Sequence, residues 1–179
     1  SRLWSLHHAL DVMQEDLTST TADWAQWDDT YAFTRNQAPD FPHQNLTPAT
    51  FARLRLSFVV VIDEHGRSSF ARSLSPDGTS LMDAPPDLIE MAESRGPLSG
   101  SGDPAQKLTG LVASEAGVFL VSSQPVLDSS GERHPAGRFI MGRSMSNIVT
   151  PALARMTGQT LTIEESTHGA VLAHSRSTL

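Results

Sequence analysis

Asp23-Trp24-Ala25-Gln26-Trp27-Asp28-Asp29-Thr30-Tyr31-Ala32-Phe33 is the stretch of this 179-residue chain whose side chains are best suited to chemistry. It holds two of the three tryptophans, the only tyrosine and three aspartates, in a chain that is 6% aromatic. Flat rings beside carboxylates make a wall for a small polar or cationic ligand. The same rings equally suit a core that anchors a helix under a sheet, and both readings stand at this point. The candidate ligand-binding residues are Trp24, Trp27, Asp28, Tyr31 and Arg143. Trp27 and Tyr31 lead among them because they lie one turn apart near a helix end. Asp28 and Asp29 are adjacent, so they point about 100° apart and cannot act as one carboxylate pair. Asp28 lies one step from the apolar seam described below, half-buried in expectation, and a buried carboxylate needs a partner. Arg143, in the last long strand, is the expected one.

No other constellation competes. His7 and Asp11 stand four apart with His8 adjacent, but one such pair is not a metal site, and no metal or cofactor is expected. Ser114-x-x-Gly117 is not a nucleophile elbow, and no Ser/His/Asp order stands out, so a catalytic role is not expected. Gly96, Gly100 and Gly102 follow a helix pattern rather than a strand, which leaves phosphate cradling unsupported. Net charge is −7, with Lys107 the one lysine among thirteen basic residues. That balance argues against nucleic acid and anionic membrane surfaces as partners. The absence of cysteine removes disulfides, thiolate metal ligands and thiol nucleophiles together.

The elements that must position these residues begin with a helix. Leu3, Leu6, Leu10, Met13, Leu17, Thr20, Trp24, Trp27 and Tyr31 recur at alternating steps of three and four, a seam at coiled-coil spacing. A continuous helix over about 2–35 is expected. The seam alone would run about 43 Å at 1.5 Å per residue, so one end should project or pair with a second chain. Thr20-x-x-Asp23 has the form of a capping box and allows a kink or restart near Ser19 to Thr21. After a proline-bearing connection over 38–48, Pro48 opens a short helix. Ser57 to Ile62 and Arg67 to Leu74 form a hairpin about Asp63-Glu64-His65-Gly66. A loop to Pro86, a helix to about Ser94 and a Gly/Ser-rich segment 96–104 come next. Strands are expected over 108–114, 118–126 and 137–144, a helix over 146–156 ended by Gly158, and short strands over 160–164 and 170–174. Strands arriving as hairpins make the fold α+β: an antiparallel sheet of five or more strands, 48–174, covered on one face by the long helix. One domain spans 1–179, a length sufficient to bury a core without staples.

Taken in order, Asp23-Trp24-Ala25-x-Trp27-Asp28-Asp29-Thr30-Tyr31-x-Phe33, Asn45-Leu46, Leu54-x-Leu56 with Phe58-Val-Val-Val-Ile-Asp63-x-x-Gly66, Ser123-Gln124-Pro125-Val126-Leu127 and Gly137-Arg-Phe-Ile-Met-Gly142-Arg143 resemble the CHASE4 family of extracytoplasmic sensory domains. The resemblance implies a PAS/Cache-like fold facing the periplasm between two membrane helices of an inner-membrane protein. It implies a cytoplasmic output, a cyclic-di-GMP synthase or phosphodiesterase or a histidine kinase. On that reading the chain, which opens at Ser1 inside a helical pattern, is a part excised from a larger membrane protein. Its function would be to bind a small polar molecule between helix and sheet, and its partner a second copy paired through the N-terminal helix. A ligand-free dimerisation or partner-docking module is the alternative.

Overall fold

The computed structural model describes residues 1–158 and 172–174. The first helix, α1 (Arg2–Ala25), is capped by Ser1, whose hydroxyl accepts from Trp4 N at 3.3 Å. It does not continue to residue 35. Gln26 closes it, Trp27 is extended (φ −95°, ψ 134°), and α2 (Asp28–Thr34) restarts in a new direction. The restart expected at Ser19 to Thr21 is therefore displaced to Gln26 and Trp27. The hydroxyls of Thr18 and Thr21 bond back to the carbonyls of Gln14 and Leu17, at 2.8 and 2.7 Å, so they stay within the helix.

The connection over 38–48 contains a short helix, α3 (Phe41–Asn45), that the prolines hid. In α4 (Pro48–Leu54), Thr47 caps the start and Arg55 the end, in a left-handed conformation (φ 56°). Leu56 N then reaches back to Phe51 O at 2.8 Å. The hairpin is present as β1 (Phe58–Ile62) and β2 (Ser68–Leu74), with Asp63 Oδ1 accepting from His65 N and Arg67 N in the turn. A three-residue strand, β3 (Leu81–Asp83), lies in what the sequence reads as loop, followed by α5 (Pro86–Ala92).

The remaining strands are β4 (Leu108–Ser114), β5 (Gly117–Pro125), β6 (Arg138–Ser144) and β7 (Leu172–His174). They complete an antiparallel sheet of order β3-β2-β1-β6-β5-β4-β7. After β6 a π-helical turn (Met145–Val149) leads into α6 (Thr150–Thr157), ended by Gly158 in a left-handed conformation (φ 68°). The strand expected over 160–164 lies outside the described residues. The fold is α+β, a sheet with a long N-terminal helix.

Both faces of the sheet are covered, which is why β1 is apolar throughout and the polar side chains of β5 and β6 are buried. On one face α1 lies across β5 and β6, with α6 beside it. Its buried line is Ala9, Met13, Leu17, Thr21 and Ala25, a strict four-residue step, with Leu6, Leu10 and Trp24 packed at its margins. That row is the i±4 ridge by which a straight helix seats. The coiled-coil seam of the sequence overlaps it only in part. Leu3 (70% exposed) runs past the body, and Trp27 (36% exposed) lies beyond the break. On the other face Phe58, Val60, Val121 and Ile140 pack against Leu88 and Ala92 of α5 and Leu98. Gly142 admits no side chain, because a Cβ there would sit 2.0 Å from the Phe58 ring.

Candidate functional site

The break between α1 and α2 gathers the aromatic block. Trp24 rests on Phe139 of β6 with ring centres 6.1 Å apart, which fixes the end of α1 to the sheet. Trp27 stands edge-on to Trp24 (5.7 Å, 84°) and to Phe41 of α3 (5.5 Å), and Phe41 stacks on Phe33 of α2 at 5.4 Å. Offset and edge-to-face rings at these spacings are mutually favourable. Tyr31 is 9% exposed, and two guanidinium groups, Arg35 and Arg133, each stand 5.7 Å from its ring centre. Its hydroxyl donates to His134 O at 3.5 Å.

The expectation for Asp28 is corrected. It is exposed, and its partner is Ser129, whose N–H and hydroxyl donate to the two carboxylate oxygens at 2.8 and 2.9 Å. Those hydrogen bonds hold the Asp28 carboxyl below its ordinary value of 3.8. With Leu127 N on Ala25 O (3.0 Å), they latch the β5–β6 connection, 127–136, onto the break between helices, and the Arg133–Asp128 ion pair (3.1 Å) braces the connection internally. The Ala25 carbonyl that the broken helix leaves without an intrahelical donor is thus satisfied by this loop.

Arg143 is on β6, on the α1 face, and engages a different carboxylate. Its Nη1 donates to Asp16 Oδ2 at 2.7 Å, and Nη2 to Leu54 O at 3.0 Å at the C-terminus of α4. The side chain is 3% exposed, and its Nε–H has no partner among the described residues. One arginine thereby joins α1, β6 and α4. Trp24, Trp27, Asp28 and Tyr31 are brought together, and Arg143 is bound elsewhere along α1.

Sequence reasoning missed Asp16, Ser129 and Arg138. Asp16 precedes Leu17 (0% exposed), and adjacency to a buried stripe was the available signal. Nothing local marks Ser129, which meets Asp28 across 101 residues. A polar seam beneath α1 was also missed: Thr18 Oγ1 meets Thr109 Oγ1 at 2.8 Å, and the Ser122 hydroxyl accepts from Thr109 (3.0 Å) and from Gln124 Nε2 (2.9 Å). These hydroxyls sit between helix and sheet.

The surface carries two adjoining concavities of about 640 and 400 Å³ beside β2, sharing Pro42, Phe70 and Arg72. A third, of about 260 Å³, lies between α2 and α3 beside Asp29 and Asp40. None of these three has Trp24, Trp27, Asp28, Tyr31 or Arg143 in its wall.

The sequence matches the CHASE4 domain family model over residues 9–164. It is also 32% identical over 152 residues to the methanogenesis regulatory histidine kinase FilI of Methanothrix harundinacea (strain 6Ac), a stretch that covers 83% of this chain and 17% of that protein. The chain thus spans about a sixth of the length of this relative. No described helix is long and apolar enough to cross a membrane.

Proposed function

This chain belongs to the CHASE4 family of sensory domains, and we propose that it is the periplasmic, ligand-sensing part of an inner-membrane signalling protein, with α1 as the element that carries the signal out. The observation that carries this reading is the Asp16–Arg143 contact at 2.7 Å, which ties the projecting helix to the strand at the centre of the sheet. A change in the sheet must then move α1, whose first turns (Leu3 70% and Trp4 68% exposed) extend beyond the body and offer a pairing surface to a second copy. A histidine kinase output follows the relative; a cyclic-di-GMP synthase or phosphodiesterase is the other output considered. The strand order supports the PAS/Cache-like reading. Ligands act by differential affinity for two arrangements, so a bias of about 5 kcal/mol reverses a population.

The input on this reading is a small polar molecule. A guest at the helix end would meet the Trp27 ring and the Asp28 carboxylate, and would compete with Ser129 for it. A melting screen of amino acids, amines, organic acids and divalent cations is expected to raise the Tm for at least one class. Should none do so while Trp27→Ala and Asp28→Ala only lower it, the ligand reading at that end fails. One observation favours the alternative of a ligand-free docking module: Asp28, Tyr31 and Arg143 already direct their polar groups to the protein itself. Lengthening α1 ahead of Ala9 by one residue separates output through the helix from both. It rotates the exit by about 100° and should change the activity of the membrane protein that carries the domain.

A further inference from the structure

The Gly/Ser-rich segment 96–107 crosses the sheet face opposite α1, and one side chain holds it there. Arg138 is 3% exposed. One edge of its guanidinium is fixed to β5: Nε donates to Ser123 Oγ at 2.8 Å and Nη2 to Ser123 O at 3.0 Å. The other edge faces the segment, Nη1 donating to Pro104 O at 3.1 Å and Nη2 to Gln106 O. The Ser123 hydroxyl in turn donates to Leu98 O at 2.8 Å. Both ends of the strap therefore depend on one guanidinium and its neighbouring hydroxyl. Gly100 (φ +66°) lies over them so closely that a Cβ would stand 2.4 Å from Nη1.

A buried cation ordinarily acquires a carboxylate, and the planar fork of arginine matches one with two parallel hydrogen bonds. Arg138 has none within ion-pair distance among the described residues. Its acceptors are three main-chain carbonyls and a hydroxyl. Burial lowers its pKa to about 10, with Asp103 opposing through space, so it is still a cation at neutral pH. The carbonyls of Pro104 and Gln106 occupy the two-donor edge where a carboxylate would bind. Near the start of the strap, by Leu98, a partly open space of about 10 Å³, room for no more than a single water, is walled mainly by Leu98, Leu108, Thr109, Gly110 and Val112.

We propose that Arg138 is the receptor for a short aliphatic monocarboxylate, and that the strap carbonyls hold the site until the ligand displaces them. The two-donor edge selects a planar pair of oxygens, and the scant space around the strap selects a small acid over a bulky one. Displacement frees Gln106, two residues ahead of β4, whose Thr109 bonds Thr18 of α1 at 2.8 Å. That link to α1 deepens the sensory reading and rests on it; the binding site does not.

Melting of the chain with acetate, propionate and butyrate, at ionic strength held constant with chloride, tests the site. At least one acid should raise the Tm saturably and speed amide exchange over 99–107, with inorganic phosphate doing neither. Arg138→Gln should abolish both effects. Gly100→Ala keeps the arginine but crowds the strap off Nη1, and should lower the half-saturating concentration several-fold. The proposal is overturned if no acid acts on either the wild type or Gly100→Ala, or if a response persists in Arg138→Gln. Carboxylate binding without any change in the output of the parent membrane protein would uphold the site and count against the sensory reading. Output that answers some other ligand, with no carboxylate bound, would do the reverse.

Discussion

Arg138 and Arg143 lie on the same strand, on opposite faces, and each is 2–3% exposed, but their surroundings differ in kind. Arg143 faces α1 and is neutralised by Asp16. Arg138 faces the strap and is held by neutral oxygens alone. A buried cation with its own carboxylate is costly to separate, whereas carbonyls can be exchanged for a better acceptor. The first arrangement therefore suits a rigid joint between sheet and helix, and the second a contact that a ligand can replace. On β6 the two lie back to back, and on the proposed reading one face receives and the other transmits.

The largest change that probes this contrast lies beneath α1. Leu17→Ala should cost about 3 kcal/mol, as a fully buried leucine on the seating ridge, read by urea unfolding. A loss well under 1 kcal/mol would mean that α1 is not held by its apolar face, leaving the ion pair as the main attachment. Asp16→Ala comes next. It strands a buried guanidinium, but its own side chain is 51% exposed, so about 2 kcal/mol is expected rather than the full cost of a wholly buried pair. Pairing it with Arg143→Met in a double-mutant cycle should recover part of the loss; strict additivity would deny the joint. Arg138→Met should cost less, about 1–2 kcal/mol, because the lifted strap carbonyls regain water. It should nevertheless accelerate exchange over 99–107 far more than Asp16→Ala does. Equal exchange in the two variants would erase the distinction between joint and strap.

The smallest effect is that of the latch. The folded-state pKa of Asp28 is lowered, so its contribution is present above the ordinary carboxyl value of 3.8 and lost as pH falls through the folded value. Proteolytic cutting within 127–136 should therefore rise on acidification below that point. Asp28→Asn should make cutting faster at neutral pH and remove the pH dependence. An unchanged profile would show that Ser129 contributes nothing to holding the loop.

The hairpin, the buried strands and the helix opened by Pro48 were legible because each follows from contacts a few residues long: period, turn chemistry, a cap. The Val-rich run of β1 read correctly as a strand, and Gly158 as a helix stop. β3 and α3 were hidden because three and five residues are too few to show a period. The break at Trp27 went to the wrong place because a threonine hydroxyl serves equally well as a cap or as a donor to its own helix. In the candidate site, the clustering of Trp24, Trp27 and Tyr31 was readable from spacing. The partners of Asp28 and Arg143 were not, since both lie more than 100 residues away.

By itself the sequence determined that a long amphipathic helix meets an antiparallel sheet, and that aromatic rings mark their junction, because hydrophobic periodicity and turn residues act locally. Which carboxylate neutralises which arginine was decided only by the tertiary structure. Ion pairing and desolvation depend on distance in space, and a strand that buries one arginine on each face gives no sign along the chain of which will find a counter-charge.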